Sequence, residues 1–199
     1  MGLIKKDRRR EAFIQMLCQA RNASAVGNWS EAIAGWEKVA KRDPENMIAK
    51  LEIARALRKT GKASESLKLI EELRRETHDN PEVLLAAVRL NQSVGNKTAA
   101  FDNVLLLLKQ QESPKVLTLA RDLAEDLSQF ALAIDFHKRL AKREANLKHA
   151  EQLSELELKL LLADDSTKGD LSKLRDKLRS FVGSHENCAS ACMKLAEVE

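Results

Sequence analysis

Apolar residues recur along this chain at helical spacing, in paired stretches separated by a single glycine. Phe13, Ile14, Met16, Leu17 and Ala20 form one stretch, and Trp29, Ala32, Ile33, Trp36, Val39 and Ala40 form the next, with Gly27 between them. Positions three and four apart share a helix face, so both predict amphipathic helices of three to four turns. The plan then repeats. Leu51, Ile53, Ala54 and Leu57 precede Gly61, and Leu67, Ile70 and Leu73 follow it. Leu84, Ala87 and Val88 precede Gly95, and Ala100, Phe101, Val104 and Leu107 follow it. Gly27, Gly61 and Gly95 are each 34 residues apart. Glycine suits such a turn because it ends the first helix in a left-handed conformation that a Cβ would obstruct. A fourth copy is one residue shorter and has Ser128 in place of the glycine, with Leu117, Ala120 and Ala124 before it and Phe130, Ala133, Ile134, His137 and Leu140 after it. Pro44, Pro81 and Pro114 follow the second helix of the first three copies, where each suits a helix stop or the first turn of the next helix.

From residue 145 the register is lost while helical spacing persists. Residues 147–163 are leucine-rich, residues 164–169 read as a loop, and Asp170 is placed to N-cap a helix carrying Leu171, Leu174, Leu178 and Phe181. Gly183 is expected to end that helix, with a last helix from about residue 186 to 199. Composition agrees with an all-α fold: 7 Gly, 3 Pro and no Tyr in 199 residues leave too few turn and strand residues for a β-sandwich or barrel.

Residues 27–44 carry Gly27 and Trp29 at the turn, Ala32 and Trp36 in the second helix, and Pro44 at the end. In this they resemble the tetratricopeptide repeat family, a helix–turn–helix unit of about 34 residues with a small residue where its helices cross. The later copies depart from the motif: Ala63 and Lys97 stand at the turn aromatic, and Ile70, Val104 and His137 at the second-helix aromatic. Pro81 and Pro114 also fall two to three residues late. The resemblance covers about residues 11–144. It implies a right-handed α-solenoid of about four units, preceded by a basic segment, residues 1–10, and followed by a helical extension, residues 145–199, that packs on or caps the solenoid. It also implies that the first helix of each unit lines the concave, ligand-binding face.

The formal net charge of +4 is mild, but it is unevenly placed. Residues 1–62 hold 14 Lys and Arg against 7 Asp and Glu, whereas residues 63–199 hold 20 against 23. The basic start, residues 5–10, reads as a solvated terminus rather than a lipid or nucleic-acid contact, since no aromatics are interleaved to stack bases. Cys18, Cys188 and Cys192 are too few and too uneven for a disulfide framework, so a reducing, cytoplasmic setting is expected. The basic start leads into Glu11 rather than the apolar stretch of a secretion signal. Apolar runs such as residues 104–108 stop far short of the ~20 residues that span a bilayer.

Catalytic machinery is missing from the pattern: there is no Gly-rich phosphate loop, nucleophile elbow or His-Glu-x-x-His helix. No enzymatic activity and no cofactor are expected. His137 occupies a packing position and reads as a partly buried core histidine, while His78 and His149 stand in polar surroundings and read as surface residues. His185, Cys188 and Cys192 are spaced to share one helical face that a metal could use. A structural zinc site wants four ligands, however, and the neighbouring Ala189 and Ala191 favour close helix packing, so no metal is expected.

On the expected ligand face, Arg21, Arg55 and Arg89 recur 34 residues apart. Stacked units would set them in a ladder at roughly 10 Å. Arg58 and Lys59 thicken the ladder in the second unit, Asn91 and Gln92 adjoin it in the third, and Asp122, Glu125 and Asp126 reverse its sign in the fourth. Guanidinium forks suit carboxylates, which makes an acidic peptide or the C-terminus of a partner protein the natural ligand. The arrangement resembles the two-carboxylate clamp of chaperone-binding family members, but the Lys and Asn residues of that clamp have no position-by-position match here. The competing reading is local pairing, for example of Arg55 with Glu52.

The expected function is therefore a non-catalytic protein–protein interaction scaffold or adaptor. A protein or peptide segment of acidic character would lie against Arg21, Arg55, Arg58, Lys59, Arg89 and Gln92. Nothing at Glu199 marks a helix stop, which leaves a second expectation open: the N-terminal docking or regulatory region of a larger bacterial enzyme, such as a glycosyltransferase. Helical-repeat RNA binding fits poorly, because the positive charge sits at one end and base-stacking aromatics are missing.

Overall fold

A computed structural model of the chain describes residues 2–143, 148–164, 170–185 and 188–199, with side chains from Arg10 onward except that of Lys148. Among the described residues there are eleven helices and no strand. They form two compact units, Met1–Leu107 and Leu108–Glu199, divided within the last turn of one helix. None of the described helices is long and apolar enough to cross a membrane.

The first unit contains α1 (Gly2–Ala25), α2 (Trp29–Arg42), α3 (Met47–Lys59), α4 (Ala63–Thr77), α5 (Pro81–Ser93) and most of α6 (Lys97–Gln110). From α1 to α5 each helix packs on the next, and α3 also touches α5, which is how solenoid repeats are built. The turn glycines act as their spacing predicts: φ is 76° at Gly27, 80° at Gly61 and 76° at Gly95. Ser128 takes the same left-handed conformation, φ 58°, at the corresponding turn of the second unit.

Packing follows the repeat. Trp36, Ile70, Val104 and His137 occupy one repeat position and are all buried, so aliphatic and imidazole groups fill the space that the first copy gives to indole. Where the paired helices cross, Ala20 meets α2 so closely that a Cβ on Gly35 would lie 3.0 Å from the Ala20 Cβ. This contact explains a glycine in a helix interior, where it otherwise costs about 0.5–1 kcal/mol. One repeat later Ala54 is buried, and its carbonyl accepts a 2.7 Å hydrogen bond from the buried Ser66 hydroxyl. Trp36 is 1% exposed and satisfies its indole N–H by donating to Ser24 Oγ at 2.9 Å.

Helix starts are explicit in the side chains. The Asn46, Asn80 and Ser113 side chains accept from the backbone N–H groups of Ala49, Glu82 and Val116, capping α3, α5 and the first helix of the second unit. Pro81 and Pro114 are the first residues of the helices they open, whereas Pro44 lies in the turn before α3. The later placement of Pro81 accompanies a longer α4 and a left-handed pair, His78 and Asp79, which Arg74 Nε fastens by donating to Asp79 Oδ1 at 2.8 Å.

The second unit contains α7 (Pro114–Asp126), α8 (Phe130–Ala141), α9 (Lys148–Leu162), α10 (Leu171–Ser184) and α11 (Ala189–Val198). α7 packs on α8 and α8 on α9, while α10 and α11 pack together and both reach α9. Leu158, Leu178, Phe181, Cys188 and Ala191 form the small core of the last three helices. The Asp170 side chain accepts from the Lys173 N–H at 3.1 Å, capping α10 as expected.

Three boundaries differ from the sequence reading. The α1 backbone is helical from Gly2, so the basic segment continues the first helix instead of preceding it. Gly183 does not stop α10, which runs on to Ser184 with His185 as its C-cap. The last helix begins at Ala189, because Cys188 takes the N-cap position. The expected loop at 164–169 falls largely outside the described residues.

Candidate functional site

α3 and α5 are the first helices of successive repeats and run in the same direction, and their exposed faces carry the predicted cations. Arg21 and Arg55 line one cleft of about 400 Å³, walled by Trp29, Trp36 and Ile48. Arg55, Arg58, Lys59 and Arg89 line a second cleft of about 510 Å³. Its apolar surface comes from Leu51, Leu85 and Ala86, with the buried Ile70 and Leu90 beneath. Arg55 belongs to both, so each neighbouring pair in the arginine series shares a cleft.

Two predicted neighbours lie elsewhere. Gln92 is exposed and lines neither cleft. Asn91 is buried and donates its side-chain N–H to the Ala87 carbonyl at 3.0 Å, so it serves α5 itself.

The local reading of these arginines holds for one of them in part. Arg55 Nη1 lies 3.5 Å from Glu52 Oε1, and the guanidinium carbon lies 5.9 Å from the Trp29 ring centre. An exposed pair at that distance contributes only a few tenths of a kcal/mol. Among the described residues Arg21, Arg58, Lys59 and Arg89 have no ion-pair partner. Two carboxylates also line the larger cleft: Glu52, which the sequence reading names only as a local partner of Arg55, and Glu82, which it missed. Their signal was present: Glu52 precedes Lys59 and Glu82 precedes Arg89 by seven residues, or two helical turns.

In the second unit the acidic residues that reverse the sign are engaged internally. Arg121 Nη2 and Asp122 Oδ1 are 2.6 Å apart, and Glu125 pairs with Lys159. Arg121 also reaches inward, with Nη1 3.4 Å from His137 Nδ1. His137 is fully buried and packs against His149, with ring centroids 5.0 Å apart, and its Nε2 lies 2.9 Å from the His149 carbonyl. These contacts fit a neutral imidazole donating from Nε2 and accepting at Nδ1. Burial pushes the His137 pKa down, and the neighbouring Arg121 charge acts in the same direction. His149 is thus a packing residue and not the surface residue the sequence suggests; both its ring nitrogens are buried without a hydrogen-bond partner among the described residues.

His185, Cys188 and Cys192 do not share one helix face, since His185 caps the end of α10 and Cys188 the start of α11. His185 Nε2 lies 3.0 Å from Glu157 Oε2, and its ring stacks on Phe181 at 4.1 Å. Cys188 is buried with Sγ 3.8 Å from Glu155 Oε1, and burial pushes its thiol pKa up. No cluster of His, Cys, Asp or Glu suited to a metal ion occurs among the described residues.

Residues 23–90, which hold both clefts except Arg21, match the tetratricopeptide repeat family. They are tetratricopeptide repeats. No curated protein matches the chain in sequence. Solved structures agree with the repeat assignment at the level of fold. A MamA crystal structure is 13% identical with a TM-score of 0.62, over 88% of this chain and 93% of that chain. A tetratricopeptide repeat protein from Parabacteroides merdae ATCC 43184 is 13% identical with a TM-score of 0.65, over 94% of this chain and 72% of that chain. A chain of the Naa15/Naa10 structure bound to HypK-THB is 15% identical with a TM-score of 0.64, over 87% of this chain and 25% of that chain. At these identities the likeness is one of fold, and function has to be argued from the site.

Proposed function

We propose that this chain is a non-catalytic protein–protein interaction scaffold whose tetratricopeptide repeats hold an acidic segment of a protein partner along α1, α3 and α5. The observation that carries the reading is the set of cations, Arg58, Lys59 and Arg89, that share an apolar-floored cleft and have no ion-pair partner among the described residues. Guanidinium groups left in that state gain charge-assisted hydrogen bonds when a carboxylate arrives, while the floor gains an apolar contact. Arg55 and Arg21 extend the same chemistry into the adjoining cleft. The Naa15/Naa10 structure, itself a protein complex bound to HypK-THB, supports the use of this fold in protein assembly.

The test is the affinity of a fluorescein-labelled Glu- and Asp-rich peptide for the whole chain, read by anisotropy. The double reversal Arg55→Glu with Arg89→Glu is expected to weaken binding at least tenfold while circular dichroism and thermal unfolding stay unchanged. Equal affinity for both proteins would sink the groove reading.

A further inference from the structure

The larger cleft is polarised along its helices. Along the helix direction the carboxylates precede the cations: Glu82, at the start of α5, comes two turns before Arg89, and Glu52, near the middle of α3, comes before Arg58 and Lys59 at its end. Leu51, Leu85 and Ala86 supply apolar surface along the way. Seven residues separate Glu52 from Lys59 and Glu82 from Arg89, which is about 10 Å along each axis at 1.5 Å per residue. Glu82 resembles the cations in having no ion-pair partner among the described residues, and Glu52 has only its long contact with Arg55. A segment bearing carboxylates alone would satisfy the basic end and set its remaining charge against Glu52 and Glu82.

We infer that this cleft selects a bipolar segment of a protein partner, in which one carboxylate and one cation flank an apolar side chain. The inference rests on the proposed groove reading and sharpens its ligand. The partner's carboxylate meets Arg58, Lys59 and Arg89, its apolar side chain lies over Leu85 and Ala86, and its cation meets Glu82 and Glu52. In a polyproline II segment, with three residues per turn, charges three residues apart fall on one side and span about 9 Å, close to the spacing along the cleft.

Calorimetric titration of the whole chain with capped peptides tests this. The probes contain Asp-Leu-Gly-Lys, the reversed Lys-Gly-Leu-Asp, Asp-Leu-Gly-Asp or the uncharged Asn-Leu-Gly-Gln in a common Gly-Ser frame. One bipolar order is expected to bind about tenfold tighter than the all-acidic peptide. Glu82→Lys should reverse that preference, and Glu82→Gln, which leaves the α5 N-terminus less perturbed, should remove it. Arg89→Glu should weaken every charged probe. If the all-acidic peptide binds as tightly as both bipolar peptides, the bipolar selection is overturned while the acidic-segment reading stands. If no peptide binds, or the uncharged one binds equally well, both fall.

Discussion

In the first unit Arg58, Lys59 and Arg89 face a cleft with no ion-pair partner among the described residues, whereas charges in the second unit are tied to the protein's own helices. Arg121 joins Asp122 and His137, Lys159 joins Glu125, and Glu112 accepts from both Arg139 and Arg143. The Arg139 guanidinium holds the Glu112 carboxyl below its ordinary range, with Arg143 adding to the effect. The two regions share the repeat plan through α8 and diverge beyond it. α9 to α11 have no repeat seam, and polar contacts such as His137 with His149 and His185 with Glu157 complete their packing. In the regular stack some charges pair locally, as Arg74 does with Glu71 and Asp79, while Arg58, Lys59 and Arg89 remain available to a ligand. The irregular stack draws such charges into its own contacts.

Changes to the two cores should disturb this contrast most strongly. Trp36→Ala is expected to cost about 3–5 kcal/mol, because it leaves a large cavity between α1 and α2 and frees the Ser24 hydroxyl. Urea denaturation measures the loss, and hydrogen exchange should show faster opening of α1 to α4 than of α9 to α11. Arg121→Ala is expected to cost about 1–3 kcal/mol, since the buried Nδ1 of His137 loses its donor. Little loss in urea denaturation would show that the second unit does not depend on this pairing.

Acid should separate the units next. His137 is held neutral by burial, so its folded pKa lies below the ordinary histidine value of 6.5. The unfolded state therefore takes up the proton first, and the stability contributed by neutral His137 is present above about pH 6.5 and lost as pH falls below it. Amides of α8 and α9 should exchange faster at pH 5.5 than at pH 7 after correction for intrinsic rates, and α3 to α5 should not. His137→Gln is expected to flatten this response.

The turns give a smaller contrast. Ser128 holds a left-handed conformation without glycine's freedom, so Ser128→Gly should raise stability by up to about 1 kcal/mol, whereas Gly61→Ser should lower it by about 1 kcal/mol. Thermal unfolding of the two variants should shift in opposite directions. Smallest of all, Arg89→Glu should change stability by less than about 0.5 kcal/mol, since no partner is lost. A larger drop would mean that Arg89 is engaged in the fold and that the proposed ligand face is a structural one.

Much of the fold was legible in the sequence. The left-handed turns at Gly27, Gly61 and Gly95 followed from spacing, and burial at Trp36, Ile70 and Val104 followed from the helical period. The arginine series was legible for the same reason, because residues one repeat apart recur on equivalent faces. Features that depended on neighbours distant in sequence were not legible. His149 has polar flanks yet packs on His137, and Cys188 caps α11 where spacing alone suggested a helix interior. Glu82 stands outside the 34-residue arginine series, and only its two-turn spacing from Arg89 marks it.

Helices, turns and the repeat are written in the amino-acid order, because each is set by interactions within a few residues or between adjacent units. Which charges stay available is a matter of tertiary packing. Glu112 meets Arg143 across 31 positions, Lys159 meets Glu125 across 34, and His185 meets Glu157 across 28. Whether a charged side chain faces a partner or a cleft is settled by the packing of whole helices, to which local periodicity is blind.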